Sequence, residues 1–264
     1  MPKIFNSKVK QIQKNRSALN PLSKTVDYLK DNVADRVADR ILDIKRDFKT
    51  VLDFGCGAGH LIKYLDTDMV QEKLVQYDSC ELLMNRDSID YPDLPGTLVQ
   101  INNSLKPDGV FIGAMLGGDT LYELRTSLQL AETERFGGIS PHISPMVQHQ
   151  DIGSLLSRSG FELTTVDVDE ITINYPSMFE LITDLQAMGE SNALNLINYT
   201  RRDVFMAASA IYSSVYGEQG HIPATFQIIY MIGWKPHFSQ PKPKERGSQQ
   251  YSFKDLDKIK DIKK

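Results

Sequence analysis

The apolar positions along this chain change their period several times, and each change marks an element. From Lys24 to Ile44, Val26, Leu29, Val33, Val37 and Ile41 recur at three- and four-residue spacing, with Asp and Arg between them. That spacing predicts a helix with one buried stripe. "TVLDF" (Thr50–Phe54) then reads as a short buried strand and "HLIKYL" (His60–Leu65) as the start of a helix. "EKLVQYD" (Glu72–Asp78) is a second strand ending in an acid, and "LPGTLVQINNSL" (Leu94–Leu105) a short helix. "KPDG" (Lys106–Gly109) is a turn, because proline presets φ and glycine accepts a left-handed residue. It leads into the apolar strand "VFIGAML" (Val110–Leu116).

The second half continues the alternation. "GGDTLYELRTSLQLAETERFGG" predicts a helix with Thr120 and Glu123 at capping-box spacing and Leu121, Leu124 and Leu128 as its stripe. A helix near Val147–Ser159 stops at Gly160, and "FELTTVDVDEITINY" reads as one bent strand or two. Ser177 and Glu180 form another capping box, opening a helix with Phe179, Ile182 and Leu185. "RDVFMAASAIYSSVYG" is helical up to Gly217, and "ATFQIIYMIGWK" (Ala224–Lys235) is a last strand. Strands alternating with helices imply an α/β fold, a mostly parallel sheet covered on both faces. Ligands bind such sheets beyond the carboxyl ends of the strands. The expected boundaries are a basic arm over 1–24, one domain over 25–236 and a polar, Pro- and Lys-rich tail over 237–264.

Composition narrows the classes. The 264 residues are 41% hydrophobic, enough for a sizeable core, and the net charge is −4. A nucleic-acid binder carries a basic patch or a high isoelectric point, so nucleic acid is not expected as a partner. Two cysteines, Cys56 and Cys80, make no disulfide framework and favour a reducing compartment. Six basic residues and no acid lie between Met1 and Val26. Such a segment is read as a solvated arm, or as a transit peptide.

The stretch "TVLDFGCGAGHLIKYL" (Thr50–Leu65) carries the strongest chemistry. Gly55, Gly57 and Gly59 follow a G-x-G-x-G spacing, whereas the dinucleotide fingerprint is G-x-G-x-x-G/A and would put its third small residue at His60. Asp53 before the turn repels pyrophosphate and suits a cation, such as the sulfonium or ammonium of S-adenosylmethionine. Asp78 ends the second strand, where an acid accepts hydrogen bonds from a ribose diol. Together Asp53, Gly55, Gly57, Gly59 and Asp78 point to an adenosylmethionine-type cofactor.

On these residues the chain resembles the class I methyltransferases. "SLKPDGVFIGAMLGGDTLYELR", "SPHISP", "NYPSMFELITDLQAMGESNAL" and "PATFQIIYMIGWK" resemble one branch of them more closely. That branch is the mitochondrial complex I assembly factors that hydroxylate an arginine, related to the biotin-pathway methyltransferases. The resemblance spans nearly the whole chain. It implies a class I methyltransferase-like (Rossmann-like) fold and S-adenosylmethionine binding. It further implies hydroxylation of an arginine in the iron–sulfur subunit of the complex I quinone module, on the matrix side of the mitochondrial inner membrane. Other assembly factors and a peripheral contact with that membrane are the further partners it implies.

The chain departs from this pattern between Asp78 and Lys106. The family places a third strand, an acidic loop and a fourth strand there, and roughly thirty residues, the size of a βα unit, are absent. The fourth strand neighbours the first, so the sheet is expected to lack central strands. Buried orphan N–H and C=O groups cost about 1–3 kcal/mol each. The sheet must therefore close up, pair differently or fail.

Catalytic residues are less legible. Methyl transfer needs alignment more than acid–base help, whereas hydroxylation with dioxygen needs a metal or a flavin. His149 and Asp151 have a local His-x-acid spacing, with His142, His221 or His237 as distant partners. The bland reading, polar residues opening a helix, is preferred, and no metal site is assigned. Asp119, Tyr122, Glu123 and Arg125, just past the apolar strand, are candidates to face a substrate. His142, between prolines, and Glu190, at a helix end and able to bind a guanidinium, complete the set. The alternatives to a hydroxylase are an adenosylmethionine-dependent methyltransferase of a protein or carboxyl substrate and a non-catalytic assembly chaperone.

Overall fold

In the computed structural model the described residues are 4–44, 46–65, 70–78, 94–195 and 200–248. Cys80 and the residues just after Asp78 lie outside them. Among the described residues seven α-helices and five strands follow the order α1 (Ser7–Leu19), α2 (Tyr28–Asp43), β1 (Phe48–Phe54), β2 (Val70–Tyr77), α3 (Leu94–Ser104), β3 (Val110–Leu116), α4 (Tyr122–Phe136), α5 (His149–Arg158), β4 (Glu162–Tyr175), α6 (Met178–Ala187), α7 (Arg202–Tyr216) and β5 (Ile222–Trp234). The α/β class holds.

The expectation of a mostly parallel sheet needs correcting. Only β1 and β2 pair in parallel; β3, β5 and β4 form a separate antiparallel sheet with β5 in the middle. Among the described residues no ladder joins the two sheets. Among the described residues β1 is thus paired on one side, by β2, and β3 on one side, by β5. Sequence period gives no strand direction, which is why the alternation of elements misled.

Burial explains the central place of β5. Nearly every residue of this strand is buried, as a strand covered on both faces requires. Phe226, Ile228 and Tyr230 point into one core with Leu124, Leu128, Val204, Ala208 and Tyr212 of α4 and α7. Ile229 and Met231 point the other way, into a second core with Leu98 of α3 and Ile152 and Leu156 of α5. Two-residue alternation therefore places helices on both faces, as expected. β4 is a single strand of 14 residues. Its last six, Glu170–Tyr175, pair with β5 beyond the level of Leu116, where β3 ends.

Helix α2 bridges the two sheets. Its Arg36 and Arg40 pair with Asp169 and Asp167 of β4, and the Arg40 guanidinium lies 3.7 Å from the Tyr230 ring centroid. Its Asp31 reaches the turn after β1, described below. The segment before residue 24 is docked: Ser17 is buried and donates to the Ala187 carbonyl at 2.5 Å, and Asn6 N–H donates to the Ala193 carbonyl at 2.8 Å. This helix was not foreseen, because its buried contact is made by a serine and backbone rather than by an apolar stripe. After β1 the expected helix is only a 3₁₀ turn over Leu61–Lys63.

Candidate functional site

The turn after β1 depends on its glycines. Gly55, Gly57 and Gly59 have φ of +82°, +54° and +79°, a region that other residues enter at a cost. Parallel pairing sets Asp53 opposite Gln76 and Phe54 opposite Tyr77. The Tyr77 carbonyl then accepts from the N–H groups of Gly55 (2.7 Å) and Cys56 (3.2 Å). One residue on, the Asp78 carboxylate accepts from Gly57 N–H at 2.8 Å. The structure therefore gathers Asp53, Gly55, Gly57, Gly59 and Asp78 at the carboxyl ends of two paired strands.

The field there is negative. Burial raises the Asp53 carboxyl above its ordinary range; a hydrogen bond from Gln76 (3.3 Å) opposes this and the charge of Asp78 adds to it. Burial, with the charges of Asp53 and Asp78, pushes the Cys56 thiol up to about 11. Among the described residues no lysine or arginine forms an ion pair with Asp53. A Cβ added at Gly55 would meet no atom within 4 Å. Open space beside a turn flanked by two carboxylates fits a cation joined to a hydroxyl-bearing sugar, the chemistry of adenosylmethionine.

His60 is the residue sequence reasoning undervalued. It is buried, with Nδ1 2.7 Å from Asp31 Oδ1 and Nε2 3.9 Å from Asp27 Oδ2. Lys63 donates to the same Asp31 oxygen at 2.8 Å. The turn is thereby tied to α2. The signal was present: Asp27 and Asp31 are four residues apart, on one helix face.

The second group of candidates follows β3. The chain stays hydrogen-bonded to β5 after the strand ends: Gly117 N–H donates to the Gln227 carbonyl (2.8 Å) and Leu121 N–H to that of Thr225 (2.7 Å). The expected capping box is absent here. Thr120 Oγ1 donates to the Gln227 carbonyl at 3.1 Å, and α4 begins after Leu121, at φ +53°. Glu123 turns inward and is fully buried, accepting from Thr225 N–H (3.3 Å) and Oγ1 (2.5 Å). Asp119 accepts from the Gln227 side-chain amide at 3.0 Å. Tyr122 is exposed and stands edge-on to Tyr216 at 6.0 Å between ring centroids. Arg125 folds back, with Nη2 donating to the carbonyls of Gly118 (3.0 Å) and Thr120 (3.3 Å).

Arg125 and His142 share the lining of a cavity of about 220 Å³ between α4 and the Ser140–Pro145 loop. His142 Nε2 lies 2.7 Å from Glu132 Oε1, and Glu132 Oε2 accepts from Ser140 N–H at 2.6 Å. Glu190 is not in this cavity; it pairs with Lys14 of α1. His149 and Asp151 are exposed on the first turn of α5, while His221 and His237 bond to nearby residues of their own segments. Among the described residues no three His, Cys, Asp or Glu side chains are grouped to hold a metal ion. Ser177 does cap α6, though not as the reciprocal box: its hydroxyl accepts from Phe179 N–H (3.2 Å) and donates to the Glu180 carboxylate.

No family model matches the chain. An arginine-hydroxylase NDUFAF5, mitochondrial, from Danio rerio is 47% identical over 289 aligned residues, covering 97% of this chain and 90% of that protein. The alignment is longer than the 264-residue chain, so part of the relative has no counterpart here. A malonyl-[acyl-carrier protein] O-methyltransferase of Xylella fastidiosa is 30% identical over 60% of this chain and 52% of its own length. Among solved structures, a putative methyltransferase from Bacillus halodurans superposes with a TM-score of 0.44 at 15% identity, over 76% of this chain and 99% of that one. The near-complete match at 47% identity decides the relationship: this chain belongs to the mitochondrial arginine-hydroxylase NDUFAF5 family.

Proposed function

We propose that this chain is a mitochondrial protein-arginine hydroxylase acting in complex I assembly, with its glycine turn holding an adenosylmethionine-type cofactor. The observation that carries the reading is the 47% identity over 97% of the chain to a relative named an arginine-hydroxylase. Adenosylmethionine, when bound, supplies a sulfonium cation and an adenosine ribose. Asp53 would set its carboxylate beside the cation, and Asp78 would accept from the ribose diol. Gly55, Gly57 and Gly59 would let the ligand approach the backbone. The client is the iron–sulfur subunit of the quinone module, met on the matrix side of the inner membrane. Among the described residues no helix is long and apolar enough to cross a membrane, and the membrane contact proposed is peripheral.

The test is mass spectrometry of the client subunit after incubation with the purified chain, adenosylmethionine, dioxygen and a two-electron reductant, the second oxygen atom leaving as water. A gain of one oxygen on an arginine supports the hydroxylase; a gain of a methyl group supports a methyltransferase instead. A second reading, a non-catalytic assembly chaperone, is favoured by the separation of β1–β2 from the other sheet. Unmodified client together with restored complex assembly in cells lacking the family enzyme would support it.

A further inference from the structure

We propose that the cavity between α4 and the Ser140–Pro145 loop is a carboxylate-binding subsite with Arg125 as its charged partner. Among the described residues three arginines are half-buried: Arg36, Arg40 and Arg125. The first two pair with Asp169 and Asp167. Among the described residues Arg125 has carbonyl partners only, Gly118 and Thr120, both on Nη2. A guanidinium withdrawn from water without an acid keeps most of its desolvation cost and a fork of donors suited to a carboxylate.

The walls fit that assignment. Pro141, Ile143 and Pro145 give the cavity apolar sides, which strengthen a charge pair within it. Gln129, one turn along α4, adds a neutral polar group. The nearby acid does not compete for Arg125: both oxygens of Glu132 are engaged by His142 and by Ser140 N–H. The volume of about 220 Å³ is below the roughly 300–1,000 Å³ of sites for drug-sized ligands. It suits one small acid or one acidic side chain of a peptide. Asn192 donates to the Pro141 carbonyl at 3.1 Å, bracing the loop. The subsite does not depend on the glycine turn holding a cofactor, so the two readings fail separately.

The test is an NMR titration of the full chain, without adenosylmethionine, following the Arg125 Nε–H and Ile143 amide signals. The probes are N-acetyl-glutamate amide, its glutamine counterpart and malonate. Saturable shifts with the glutamate probe, at least tenfold stronger than with glutamine, are expected, a factor in keeping with a charge-assisted pair. Saturation by malonate but not by the glutamate probe also supports the subsite and names a small diacid as its source. Arg125→Gln should weaken binding at least tenfold. Gln129→Glu leaves Arg125 and its carbonyl bonds in place, supplies an internal carboxylate four residues away and should weaken binding likewise. Equal responses to glutamate and glutamine, no saturable response to any probe, or undiminished binding in a folded Gln129→Glu variant would overturn the proposal.

Discussion

Asp78 accepts a hydrogen bond from the backbone N–H of Gly57 at 2.8 Å, so the acid that ends β2 holds the turn that follows β1. The two halves of the candidate cofactor site are thus one unit. Replacing Asp78 by Ala removes an acceptor that is charged, and such bonds contribute about 1.5–3 kcal/mol. Calorimetric titration with adenosylmethionine should show a dissociation constant raised by about 10- to 100-fold, since 1.4 kcal/mol is a factor of ten. An unchanged constant would remove Asp78 from the site.

Asp53 gives a prediction of opposite sign in two measurements. Its carboxyl is raised, first by burial and further by the charge of Asp78. An acid with a raised folded-state pKa holds its proton more tightly folded than unfolded. Its cost is absent below the ordinary carboxylate range and complete above the raised value, so stability falls as pH rises through that window. Asp53→Asn should flatten this fall and raise Tm near neutral pH. The same change should weaken adenosylmethionine binding, because the counter-charge to the cation is gone. Thermal melts across pH 4–8 and calorimetry of one variant decide both. Parallel loss of stability and binding would mean that Asp53 is only structural.

Glu123 is a buried carboxylate whose two oxygens serve the N–H and hydroxyl of Thr225. Glu123→Ala strands the Thr225 N–H, at about 1–3 kcal/mol, leaves the Thr225 hydroxyl a longer contact to Thr172 Oγ1 at 3.4 Å, and opens a cavity in the core. Urea unfolding should show a loss of about 3 kcal/mol or more with little change in slope. Glu123→Gln keeps one acceptor oxygen and should lose less than half as much. Equal losses in the two variants would show that neither side-chain volume nor the one oxygen kept by Gln sets the cost, and that the intact carboxylate does.

The same residue shows where the sequence was informative and where it was not. Thr120 and Glu123 have capping-box spacing, yet their partners, Gln227 and Thr225, lie on a strand about a hundred residues later. Local spacing cannot reveal a partner at that distance, and burial against β5 outcompeted the cap. The G-x-G-x-G turn was legible because φ > 0 at all three glycines is a local demand. Strand limits such as Val110–Leu116 were legible from apolar runs, and the split between the two sheets falls where the sequence lacks a βα unit, but strand direction was not legible. The docking of α1 was not legible because its contact rests on Ser17 and the Ala187 carbonyl rather than on an apolar stripe. His142 and Arg125 were both candidates, but only the fold brings α4 and the Ser140–Pro145 loop together around one cavity.

Gly189 tests the α1 contact directly. It has φ +74°, and an added Cβ would lie 3.1 Å from both the Gln13 carbonyl oxygen and Ser17 Cβ. Left-handed backbone alone costs a non-glycine residue about 1–2 kcal/mol. Gly189→Ala should lose at least that much stability and loosen α1, read as faster amide exchange over residues 7–19. A loss of stability with α1 exchange unchanged would confine the effect to backbone strain.

The divided sheet leaves a hazard that can be measured. β1 pairs only with β2 among the described residues. Leu52 is 57% and Phe54 39% exposed on one face of it. An apolar strand with an open edge is a template for pairing with another chain. Warming a concentrated solution should therefore produce light scattering that begins below the unfolding midpoint and steepens with concentration. Leu52→Lys places a charge on that face, as natural edge strands do, and should cut the scattering severalfold while leaving the midpoint within about 2 °C, as expected for an exposed site. If Leu52→Lys scatters like the parent chain, association runs through another surface. The open edge of β3 would then be next to receive a lysine.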